Sequence, residues 1–215
     1  MAAVSDNGRT PLLIDGTKEK AVDAFFLYVP TAVVEAKRLV VDVRMAGMPL
    51  EVAREKLREN LVHAMRWGLT LLIRLANSAA DFKNQYCAPD TFPLAVFDRS
   101  KHPTGRDANA DPMWSPIFRP TDIASEGGRL HVPSSFRVCV STFFAPTSYA
   151  DLLKESLPLE ALRPMHIVER AGGTRVADLP KSGEIRPGIK VEARGAVDTT
   201  SRLEKEYGAV QEDGS

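Results

Sequence analysis

Few residues in this chain have the type and spacing that chemistry requires. Asp107, Asn109 and Asp111 match the first three ligand positions of a calcium loop. Such a loop then needs glycine for its turn and a bidentate glutamate at its end. Pro112 and Phe118 stand there instead, so the tract reads as a polar turn. His63, His102, His131 and His166 have no second histidine or cysteine at metal-ligand spacing. His63, one turn after Glu59, reads as a surface or boundary contact. Neither a metal nor a cofactor is expected.

Nucleophilic chemistry has one candidate pair. Cys139 and His131 could fall on neighbouring strands, the minimum for a thiol and its base. The sequence supplies no third group to orient the base and no oxyanion donor, so Cys139 reads as packing. The chain has no GxSxG, GxxxxGK[ST] or GxGxxG. Gly172-Gly173-Thr174-Arg175 reads as a hairpin turn, with an anion-binding turn beside Arg175 as the alternative.

A basic set is more extended. Arg99, Lys101, His102 and Arg106 follow one another without an intervening acid, and Trp114 lies just beyond. Cations beside an aromatic are what contacts to single-stranded nucleic acid use. Between 163 and 194, Arg163, Arg170, Arg175, Lys181, Arg186, Lys190 and Arg194 outnumber Glu169, Asp178, Glu184 and Glu192. The contacts named for a partner or a nucleic acid are therefore Arg99, Lys101, His102, Arg106, Trp114, Arg170 and Arg175. The plainer reading is solvated charge on loops and outward strand faces.

What must position these residues is organised around Pro49–Asn77. Leu50, Ala53, Leu57, Leu61, Ala64, Gly68, Leu71, Leu75 and Ala79 recur at three-and-four spacing, which predicts one long helix over about 49–77. Its first half carries Glu51, Arg54, Glu55, Lys56, Arg58 and Glu59, a solvated face. Its second half, WGLTLLIRLAN, is apolar nearly all round and should cross the core. Gly68 should mark the close approach of another element.

Residues 1–16 read as a flexible leader, with a short strand at Pro11–Ile14. Thr17 can cap a helix through AVDAFFLY. Residues 31–46 fit a helix better than a strand. Residues 81–128 are proline-rich and irregular, with a strand only at Phe92–Phe97. From 129 to 197 the pattern is β-rich: a strand over Phe136–Val140, a hairpin from MHIVE through AGG to TRVAD, and a strand in IKVEARGAV. Ser148 and Asp151 are spaced as a capping box for a short helix over Tyr149–Ser156, and a helical turn is expected at Leu159–Leu162. Residues 198–215 read as a polar tail. The expected architecture is one α+β domain over 17–197, with a helical N-terminal half (17–80) and a small, mostly antiparallel sheet with one or two short helices.

Composition bounds the function classes. The 215 residues include 28 basic and 28 acidic side chains, so no global field steers the protein to a polyanion. Two cysteines make no disulfide framework, and no run is long enough to span a bilayer. A cytoplasmic protein without membrane contact is expected. AGMPLEVAREKL is similar over a short span to the helix-turn-helix of transcription regulators. Together with APDTFPLAVFD it also resembles coat proteins of flexible filamentous viruses. Those are helical where 129–197 here reads as strands, and no site residue transfers from either.

With no converging set of titratable residues, the leading reading is a non-enzymatic regulatory or structural protein. It would act through protein–protein contacts, with a protein partner or self-association. The second reading is a nucleic-acid-associated repressor or coat-like subunit using 99–106 and the arginines of 163–194. The third is a small hydrolase or transferase around His131, Cys139 or His166.

Overall fold

The apolar run after Trp67 is where the chain departs furthest from expectation. In the computed structural model, which describes residues 8–124, 127–170, 173–178 and 191–192, the long helix stops at Trp67. Pro49 sits outside its first turn in extended backbone, and Gly68 closes it in the left-handed region at φ 61°. Leu69 N–H bonds back to the Ala64 carbonyl at 2.9 Å, a helix-ending turn that glycine adopts without steric cost. A Cβ at Gly68 would also run into Ser135 Oγ and lie 2.8 Å from Pro133 Cβ. The expected close approach is real, but it caps the helix. Residues 70–76 are then a strand.

In chain order the elements are β1 (Thr10–Asp15), α1 (Ala21–Phe26), β2 (Thr31–Glu35), α2 (Ala36–Arg44), α3 (Leu50–Trp67) and β3 (Thr70–Ala76). After a long excursion holding α4 (Pro120–Ile123) come β4 (Arg137–Thr142), α5 (Tyr149–Leu153), β5 (Leu162–Arg170), β6 (Gly173–Asp178) and β7 (Val191–Glu192). The strands form one sheet in the order β2-β3-β4-β1-β5-β6-β7. From β2 to β5 every pairing is parallel, with Leu12 opposite both Val140 and Pro164, and Val33 opposite Leu72. β6 and β7 continue the sheet antiparallel.

This α/β fold overturns the expected helical N-terminal half with a mostly antiparallel sheet. The reason is physical: parallel strands covered on both faces read as continuous apolar runs, without the alternation that marks a strand. Leu71, Ile73 and Leu75 face the large core under α3, while Leu72 faces a smaller core under α1 with Leu13, Val22, Phe26, Cys139, Met165 and Ile167. Residues 31–46, expected as a helix, split into β2 and α2. The strand at Pro11–Ile14 is present and lies between β4 and β5 in the sheet interior. The hairpin of β5 and β6 has Arg170 opposite Gly173, as expected. Ser148 precedes α5 but makes no side-chain cap bond.

The proline-rich excursion between β3 and β4 is ordered by aromatic packing. Phe82, Tyr86, Phe92, Phe97 and Trp114 are fully buried in the core that α3 shares, with the Phe82 and Phe97 rings 5.4 Å apart and edge-on. The strand expected at Phe92–Phe97 is a single bridge from Phe92 to Ala88 followed by a 3-10 turn over Leu94–Phe97. The charged half of α3, expected as solvated, is partly covered by this layer. Arg58 is buried and donates from Nε to Glu55 at 2.6 Å, and from Nη1 to Asp122 at 2.5 Å and to the Ile117 carbonyl at 3.0 Å. Burial opposes its charge, yet these bonds outweigh it and hold the guanidinium above its ordinary pKa.

Candidate functional site

Parallel sheets usually hold ligands outside the carboxyl ends of their strands, where successive connections diverge. Here β1 connects across to β2 at one edge, while β4 connects past β1 to β5. The crevice therefore belongs at the ends of β1 and β4. Asp15, the last residue of β1, occupies it. Its carboxylate accepts from Thr17 N–H at 2.9 Å, Thr17 O–H at 2.6 Å and Val22 N–H at 3.0 Å. Thr17 Oγ1 accepts from Ala21 N–H at 2.8 Å, although the N-cap of α1 is Lys20 and not Thr17 as expected. The Ala21 and Val22 amides at the start of α1, which could meet an anion, are thus satisfied by the chain's own oxygens.

The walls of this corner are equally committed. His166 lies against Gly16, its Nε2 only 2.8 Å from where a Cβ on that glycine would sit, and burial lowers its pKa against the pull of Asp15. Thr142 Oγ1 donates to the Ala76 carbonyl at 3.1 Å and accepts from Phe144 N–H at 3.2 Å. Arg74, beneath α1, bonds Glu35 at 2.9 Å and also pairs with Asp23. That clamp ties α1 to β2 and β3. Lys20 reaches over the Phe143 ring at 5.4 Å.

The residues singled out in sequence are dispersed. His102 is buried, donating from Nε2 to the Val96 carbonyl at 2.9 Å, with Trp114 and Phe136 packed around it. Trp114 is fully buried, and its indole N–H donates to the Lys101 carbonyl at 2.8 Å. Lys101 pairs with Asp98 at 3.0 Å and Arg106 with Asp111 at 3.2 Å. Arg99 is half-buried, its pKa lowered by burial and by Arg137. The structure thus leaves cations at the surface of this loop while taking its aromatic and its imidazole inside. Arg170 and Arg175 are placed only by backbone, on β5 and β6, with Val168 opposite Arg175. Lys181, Arg186, Lys190, Arg194, Gly172 and the polar tail lie outside the described residues.

The thiol pair does not assemble. Cys139 faces the core under α1, whereas His131 is exposed on the excursion, bridged to Asp107. Burial raises the Cys139 thiol, and it pushes Cys87 up to about 12. The oxygens of the calcium-like tract serve turns: Asp107 accepts from Asn109 N–H, and Asn109 accepts from Leu130 N–H at 2.7 Å. Among the described residues no group of three or more histidine, cysteine or acidic side chains could hold a metal. No described helix is long and apolar enough to cross a membrane.

What sequence reasoning missed lies in residues 25–33. Phe25 is 46% exposed, Leu27 82%, Tyr28 89% and Val33 42%. Phe25 lies on α1, Leu27 and Tyr28 in the segment between α1 and β2, and Val33 on β2, an outermost strand of the sheet with β3 as its one neighbour among the described strands. The signal was the apolar run FFLY, placed inside a helix through AVDAFFLY when the helix in fact ends at Phe26. No family model, curated protein or solved structure matches the chain.

Proposed function

We propose that this chain is a non-enzymatic interaction protein, regulatory or structural, that works through protein–protein contacts at the margin formed by α1, the 27–30 turn and β2. The carrying observation is the exposure of Phe25, Leu27, Tyr28 and Val33 within one nine-residue stretch. Apolar groups clustered at a surface mark interaction sites more often than singly scattered ones do. The filling of the β1–α1 corner by Asp15 supports the same reading, because it removes the place where such sheets usually hold a small anion.

Light scattering after size exclusion, together with recovery of a tagged copy, tests this. A higher-order species or a stably retained protein is expected, weakened by Leu27→Ser with Tyr28→Ser. A strict monomer that retains no partner rejects the reading.

A further inference from the structure

The inference rests on the interaction reading above and names the partner. We propose that the protein pairs with a second copy of itself through β2, antiparallel and about a two-fold axis at Val33, extending the sheet across the dimer.

The backbone of β2 is set up for pairing. Thr70 N–H donates to the Pro30 carbonyl at 3.0 Å. In a ladder, successive residues turn their amide groups to opposite sides, so Pro30, Ala32 and Val34 address β3. The amide groups of Thr31, Val33 and the N–H of Glu35 point outward. Edge strands are normally guarded by proline, lysine, a bulge or a covering element. TAVVE carries no proline or lysine, and its register with β3 runs without a shift from Thr31 to Glu35. α2 leaves from its end and packs with α3 and β3 on the face of the large core.

Charge sets the direction in which a second copy pairs. Glu35 is the strand's one charged residue, already bonded to Arg74. A parallel arrangement of two copies in register would set Glu35 opposite Glu35, which is destabilising. The antiparallel arrangement centred on Val33 sets each Glu35 opposite Thr31, so the carboxylates stay apart. Val33 then exchanges both amide bonds with its symmetry mate, and Glu35 N–H meets the Thr31 carbonyl in each direction. The axis is perpendicular to the sheet, so both copies show their α1 faces on the same side. Val33 packs on Val33 there, a cross-strand β-branched pair. The exposed Tyr28 of each copy lies toward the start of the other's α2, where Lys37 and Arg38 are exposed, a cation–aromatic match. An isologous contact of this kind closes at two copies.

Light scattering across a concentration series should show a monomer–dimer equilibrium. Val33→Lys sets two ammonium groups opposite each other and should raise the dimer dissociation constant at least about tenfold, with an unchanged far-UV spectrum confirming that the variant is folded. Val33→Cys should form an intermolecular disulfide under mild oxidation, whereas Val41→Cys, exposed on α2 away from the edge, should not. A dimer that survives Val33→Lys and fails to crosslink through Val33→Cys overturns the inference and leaves the interaction reading standing. So does a monomer that retains a different protein. Assembly that grows past two copies also overturns it. A monomer without any partner removes both.

Discussion

Two residues show how local chemistry fixes this molecule. His102 is buried against Trp114 and Phe136, where its imidazole is held neutral and its pKa falls to about 4, chiefly by desolvation. The unfolded chain takes up a proton near 6.5 that the folded chain refuses until about 4. Stability from this site is therefore complete above about 6.5 and is lost as pH falls toward 4. Full loss corresponds to about 3 kcal/mol. Urea denaturation at pH 7 and pH 4.5 should show that fall, and His102→Gln should flatten it. At Gly68 the left-handed backbone and the wall of Ser135 and Pro133 both exclude a side chain. Gly68→Ala should cost about 2–3 kcal/mol, combining left-handed strain with overpacking. A variant within a few tenths of wild type in urea midpoint would show that the 133–135 segment yields easily.

At the scale of elements, the excursion is joined to α3 by an ion cluster as well as by rings. Arg58 joins Glu55, Asp122 and the Ile117 carbonyl, and Arg119 reaches Glu55 at 3.2 Å. Removing a buried cation leaves its carboxylates facing one another, which costs more than the pairing gained. Glu55 and Asp122 keep some solvent, so Arg58→Met should cost about 2 kcal/mol, less than a fully buried pair. The same variant should speed proteolysis between 98 and 128, since local opening follows the loss of its anchors. Unchanged cleavage would mean that Trp114 and its aromatic neighbours hold the layer alone. Arg74 does similar work on the other face, tying α1 to β2 and β3.

Across the whole molecule, β1 matters most, because it joins the first half of the chain to the second. It pairs with β4 on one side and β5 on the other, and Leu12 and Ile14 are fully buried. A chain lacking residues 1–15 should therefore fail to fold as one unit, giving aggregation or loss of the cooperative thermal transition. A soluble, cooperatively melting truncation would show that β4 and β5 can close the gap. β4 and β5 themselves come from the region expected to form a small antiparallel sheet. They were recognisable as strands from Phe136–Val140 and MHIVE. Their partners were not recognisable, because parallel pairing is a long-range choice that leaves no turn signal between neighbours.

Sequence alone marked Pro11–Ile14, Phe136–Val140 and MHIVE as strand-forming, and these tracts give β1, β4 and β5. But it ran the long helix through Gly68, where the structure ends it. Sequence also marked β5 and β6 as an antiparallel pair, in which Arg170 lies opposite Gly173. The tertiary structure decided what hydropathy cannot separate: whether WGLTLLIRLAN continues a helix or becomes a strand buried on both faces. Both conformations hide the same side chains from water, and only the neighbours at β2 and β4 favour the extended one. It likewise decided that Trp114 and His102 go inside while Phe25, Leu27, Tyr28 and Val33 stay out. A side chain's exposure depends on which surface the rest of the fold brings to it. In this protein that surface is a sheet whose strands come from both ends of the chain.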